Sequence, residues 1–120
     1  EAYAEGEDAL RESLAIRLKK FPDHWVTFRT HVFLGEALMG QQKFVEAEPF
    51  LLDGYEGLAK RKELIPPNRQ SCITESLQSL VKLYESWGAV EPGSGYDAKA
   101  EQWQRRLQEH DENQNADKPN

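Results

Sequence analysis

The sequence predicts an all-α protein built as a stack of antiparallel helix hairpins, with about five helices. Three observations predict it. Apolar residues recur at spacings of three and four through most of the 120 residues. Pro or Gly stands in most breaks between those runs. A short segment near the start returns about forty residues later, which is the signature of a repeat. At 38% apolar and 30% charged, the chain is polar for a globular domain yet too rich in aromatic residues for general disorder. A layered array accommodates both, because each hairpin need bury its face only against its neighbours.

The first helix runs from about Ala2 to Lys20, with Tyr3, Gly6, Leu10 and Leu14 on one face, and stops before Phe21-Pro22-Asp23. The second runs from about Asp23 to Gly40. Trp25, Val26, Phe28, Val32, Phe33, Leu34, Ala37, Leu38 and Met39 make it apolar around much of its girth, so it belongs at the centre of the stack. Gly40-Gln41-Gln42 supplies the reversal, with Gly40 expected to take a positive φ. A third helix, from about Lys43 to Lys62, carries Phe44, Ala47, Leu51, Gly54, Tyr55 and Leu58 along one stripe. Pro49 lies inside it and removes a backbone hydrogen bond, which predicts a bend or a short start before it.

Leu64-Ile65-Pro66-Pro67-Asn68 is the clearest linker, since a proline disfavours helix in the residue before it. The fourth helix spans about Arg69 to Trp87, with Ile73, Leu77, Leu80, Tyr84 and Trp87 on one side. Gly88 to Gly95 reads as a loop, and the fifth helix spans about Tyr96 to Glu109, burying Ala100, Trp103 and Leu107. Residues 1–110 thus form one helical repeat domain, and 111–120, almost free of apolar side chains, a disordered tail. The chain opens at Glu1 in what reads as the middle of a repeat, so a piece of a longer protein is expected.

Tyr3-Ala4-Glu5-Gly6-Glu7 and Phe44-Val45-Glu46-Ala47-Glu48 match in pattern, 41 positions apart. Together with Leu34-Gly35, Leu38, Phe44, Ala47, Leu51 and Gly54, this resembles the tetratricopeptide repeat, in which large residues fill the gap between two helices and small ones permit close crossing. His31 stands where that family often has tryptophan. The long period, Leu14-Ala15-Ile16-Arg17 and Pro22-Asp23-His24 look like the kinesin-light-chain variety. Ala47-Glu48-Pro49, Gly54-Tyr55, Ile65-Pro66-Pro67 and Leu80-Val81-Lys82-Leu83-Tyr84-Glu85 are similar to the C-terminal repeat tails of bacterial serine/threonine protein kinases. The resemblance implies a right-handed α-α superhelix with a concave groove lined by the first helix of each pair, and a cytoplasmic, non-catalytic tail. If that geometry transfers, Arg29, Val32, Glu36 and Met39 face the groove from one helix, and Glu75, Gln78, Lys82 and Glu85 from the next. Mixed charge flanking Val32 and Met39 would clamp a peptide or partner protein.

Other chemistries find little support. The net charge of −6, with cations scattered among acids, offers no footprint for nucleic acid. No apolar run approaches the roughly 20 residues that span a bilayer. No Gly-rich phosphate loop, His-Arg-Asp or Asp-Phe-Gly occurs, so the kinase resemblance carries no ATP site with it. His24 and His31 stand two turns apart, roughly 10 Å by helical rise, too far to share a metal ion. The lone Cys72 cannot form an internal disulfide and reads as a small apolar filler. Gly93-Ser94-Gly95 lacks the preceding strand a nucleophile elbow requires and reads as a connector. No catalytic, metal or cofactor residue is therefore assigned. The alternatives are self-association into a homodimer through an exposed face of Tyr3, Leu10 and Leu14, and a helical enzyme with an unrecognised site, which only the number of acids favours.

Overall fold

In the computed structural model, which describes residues 2–116, the chain forms five α-helices: α1 (Ala2–Lys20), α2 (Trp25–Gly40), α3 (Phe44–Lys60), α4 (Ser71–Val90) and α5 (Tyr96–Ala116). Two short 3-10 turns, Lys62–Leu64 and Pro67–Arg69, bridge α3 to α4. There is no strand among the described residues, and no helix is long and apolar enough to cross a membrane.

Each helix packs antiparallel on the next. Between α2 and α3 the register is fixed by glycines: Gly35 lies under Leu51, Gly54 against Val32 and the Phe28 carbonyl, and Gly57 against the Phe28 ring. A Cβ at Gly54 would come within 2.5 Å of the Val32 Cγ2, so the close crossing depends on the missing methyl. Leu34, Leu38, Phe44, Ala47 and Leu51 meet in the resulting core, each at most 6% exposed. The large-and-small stripe legible in the sequence is thus the interface itself. The same core continues through Ile73, Leu80, Leu83, Tyr84 and Trp87 of α4, while Leu77, Val81 and Leu107 bury a satellite cluster between α4 and α5.

Contacts between non-successive helices sort the stack into two layers. α2 lies beside α4, joined by a hydrogen bond from the Ser79 hydroxyl to Glu36. In the other layer α1 reaches α3 through Arg11 and Glu46, and α3 reaches α5 through Tyr55 on Trp103 and Glu48 on Lys99. The molecule measures 44 × 38 × 20 Å, and the shortest dimension is two helix diameters of about 10 Å each.

α3 starts at Phe44, little more than a turn before Pro49, and runs on through it; the carbonyl that proline leaves without a donor belongs to Val45, which is 74% exposed and can bond water. Three other local expectations need correcting. Gly40 remains helical, and the left-handed residue of the reversal is Gln42, at φ 62°, while Leu38 and Met39 carbonyls accept the N–H groups of Gln41, Gln42 and Lys43. Gly40 is small for another reason, because the Tyr3 ring lies against it. α4 does not stop at Trp87: Gly88 is helical and buried, with the Asp97 carboxylate against it, and the loop is confined to Glu91–Gly95, where Gly93 and Gly95 take the positive φ. α5 continues past Glu109 to Ala116, so residues 111–116 are helical and not a disordered tail; residues 117–120 lie outside the described residues.

Candidate partner-binding groove

The α2–α4 layer brings together most of the groove residues named from the sequence. Glu36 is half-buried at the helix boundary, where its carboxylate accepts from the Ser79 hydroxyl at 2.5 Å. Burial pushes its pKa up, and the neighbouring Glu75 pushes the same way. The Ser79 hydrogen bond and the cations Lys82 and Arg29 pull against them. Arg29, Glu36, Glu75 and Lys82 therefore share one electrostatic environment across the two helices. The Arg29 guanidinium stands 5.0 Å over the Phe33 ring, and its Nε is buried with no acceptor among the described residues. Glu75, Gln78, Lys82 and Glu85 are all exposed, spaced by three and four along one side of α4.

Two of the apolar candidates do less than expected. Val32 is 3% exposed because it fills the space over Gly54, so it serves the α2–α3 interface and not the groove. Met39 is partly buried against the core and presents only its edge. The apolar surface on this face comes instead from Phe33, which is 38% exposed and lies on the helical face between Arg29 and Glu36. Its spacing of four and three from those residues was a usable signal that the sequence reading passed over. Ser79 was missed for a similar reason, standing one turn from both Glu75 and Lys82.

Cys72 lies at the base of this face at 3% exposure, and burial pushes its thiol pKa up, only partly offset by Arg29. A thiol held in its protonated form is a poor nucleophile. Among the described residues no three His, Cys, Asp or Glu side chains gather so as to hold a metal.

Elsewhere the histidines and aromatic residues hold the scaffold together. The His24 Nδ1 accepts from the Val26 N–H and caps α2. His31 stacks on Phe28 with its Nδ1–H donated to the Thr27 carbonyl. Beside it is a cavity of about 390 Å³ on the α1–α3 side, lined by Leu18, Pro22, Asp53, Glu56 and Lys60 among others. Arg61 borders that cavity but is already engaged, lying 4.2 Å over Phe28 and donating to the Gly57 and Asp23 carbonyls. Trp87 stacks on Tyr96 at 4.0 Å and on Phe44 at 5.8 Å, so its surface is spent on inter-helix packing.

The face proposed for homodimer formation is partly taken up within the chain. Leu14 is buried, Leu10 packs on the same core, and Tyr3 covers Gly40. These residues pair α1 with α2, and Tyr3 keeps 53% of its surface exposed. No protein-family model, curated protein or solved structure matches this chain.

Proposed function

We propose that this chain is a protein-interaction module whose α2–α4 face receives an extended or helical peptide from a partner protein. The observation that carries the reading is the row Glu75, Gln78, Lys82 and Glu85, exposed on α4 beside Arg29, Glu36 and Phe33 of α2. Alternating charge around one aromatic ring gives a ligand both orientation and apolar contact. Arg29 is partly exposed, and its guanidinium offers donors to a peptide carbonyl or carboxylate. Helices joined by the Ser79–Glu36 bond present these groups on a rigid frame, which lowers the ordering cost of binding.

The same reading takes the chain as a tetratricopeptide-like tail of a bacterial serine/threonine kinase, in a cytoplasmic setting, on the sequence resemblance alone. A kinase catalytic core encoded upstream of Glu1 would support that context, and an unrelated upstream domain would remove it.

Panning a displayed peptide library against the chain tests the groove. Selected peptides should lose binding to Lys82→Glu and to Arg29→Glu proteins of unchanged helicity. They should retain it with Lys60→Glu, which lies in the opposite layer. Peptides that bind all three variants equally would overturn the assignment.

A further inference from the structure

The two ends of the stack differ in charge. At the first end, the side of α1 turned away from α3 bears a shallow groove of about 240 Å³ lined by Ser13, Ile16, Arg17, Lys20 and Phe21. Ile16 and Phe21 are 51% and 56% exposed, and the Arg17 Nε is buried with no acceptor among the described residues. At the last end, α4 and α5 enclose a groove of about 220 Å³ lined by Glu85, Asp97, Ala100, Glu101 and Gln104. It holds three carboxylates around the methyl of Ala100, and no cation lines it.

We propose that these grooves recognise each other in a second copy of this chain, the α1 edge of one molecule docking on the α4–α5 edge of the next. Opposite charge selects this pairing. Two α1 edges meeting face to face would oppose Arg17 and Lys20 with their own twins, and two α5 edges would oppose Glu101 with Glu101. Only the head-to-tail arrangement pairs cations with carboxylates, and such a contact is heterologous: it leaves one edge free at each end, so copies add in series. Ile16 and Phe21 leave water over the groove floored by Ala100, and the Arg17 guanidinium and Lys20 ammonium meet the Glu85, Asp97 and Glu101 carboxylates. Glu85 lines the α4–α5 groove and also ends the α4 row of the α2–α4 face, whereas Arg29 and Lys82 take no part in the contact, so reversing the charge of those two separates peptide binding from self-docking.

Sedimentation of the intact chain over a concentration series tests the proposal. Mass should rise with concentration at about 0.05 M salt, and association should weaken at least about tenfold at about 0.5 M, where the screening length falls below about 5 Å. Arg17→Glu with Lys20→Glu should sediment as a monomer, as should Glu101→Lys with Gln104→Lys. An equimolar mixture of the two variants should associate again, because each reversed edge complements the other. If the first variant loses helicity, Ile16→Ser with Lys20→Glu replaces it at exposed positions and should likewise be monomeric. A wild-type chain that stays monomeric at every concentration overturns the proposal. So does association that survives reversal of the α5 edge, or a mixture that remains monomeric.

Discussion

Replacing Gly54 by alanine separates helix propensity from helix crossing. In an unobstructed helix the added methyl stabilises by about 0.5–1 kcal/mol, because glycine loses more backbone freedom on folding. At Gly54 that methyl would stand 2.5 Å from the Val32 Cγ2, 3.0 Å from the Phe28 carbonyl oxygen and 3.1 Å from the Val32 nitrogen. The valine methyl could turn only within a filled core, and the two backbone atoms can yield only if α2 and α3 move apart. Overpacking of that kind costs about 1–3 kcal/mol, so Gly54→Ala should destabilise by up to about 2.5 kcal/mol after the propensity gain is subtracted. Gly6 in α1 is the internal control, since a Cβ there meets nothing within 4 Å, and Gly6→Ala should stabilise by up to about 1 kcal/mol. Thermal unfolding would place the two variants on opposite sides of the wild type, at about 4 °C per kcal/mol for a domain of this size. If both variants melt above the wild type, the close crossing does not depend on glycine.

Other perturbations read the electrostatics. Arg11, Gln41 and Lys43 hydrogen-bond Glu7 and hold its pKa down at about 2, so its stabilisation is complete above about pH 4.5 and is lost as pH falls toward 2; acid titration of Glu7→Gln should show a shallower loss over that window. Glu36 behaves in the opposite sense. Its raised pKa makes the folded state bind the proton more tightly than the unfolded chain, so stability falls as pH rises through that interval. Glu36→Gln should abolish this slope in denaturant midpoints measured across mildly acidic to neutral pH, and an unchanged slope would refute the burial argument. Tyr84, buried at 2% exposure, donates its hydroxyl to Glu48 at 2.7 Å, and Tyr84→Phe should cost about 1–2 kcal/mol in urea unfolding. No loss there would mean that water replaces the tyrosine without penalty.

Helix number, order and the α2–α3 core were legible because they rest on periodicity and on large-small alternation, both of which are properties of neighbours along the chain. Leu34, Leu38, Phe44 and Leu51 pair on sequence grounds for that reason. Helix ends were less legible. Gly88 looked like a terminator, yet it lies in α4 because Asp97 of α5 packs where a side chain would stand, a contact between separate helices. Similarly, the polar residues after Glu109 give no apolar stripe, but His110 packs back on α4 with Nε2 3.1 Å from the Thr74 hydroxyl, within a helix that continues to Ala116. In the groove, the charged positions on α4 were readable as an exposed row. The failure at Val32 came from carrying the groove positions over from the repeat resemblance. Its true partner is the gap left by Gly54, which only the crossing geometry reveals.

A slab only two helices deep has consequences for how the chain opens. α5 docks chiefly on α4, and α1 chiefly on α2, whereas α2, α3 and α4 are each held by more than one neighbour. Either outer helix can therefore detach while the remaining hydrophobic contacts persist, because no shared centre has to be breached. Amide protons should consequently exchange in a gradient, quickest in the peripheral helices and slowest around Leu38, Leu51 and Leu83, whose side chains have no contact with solvent.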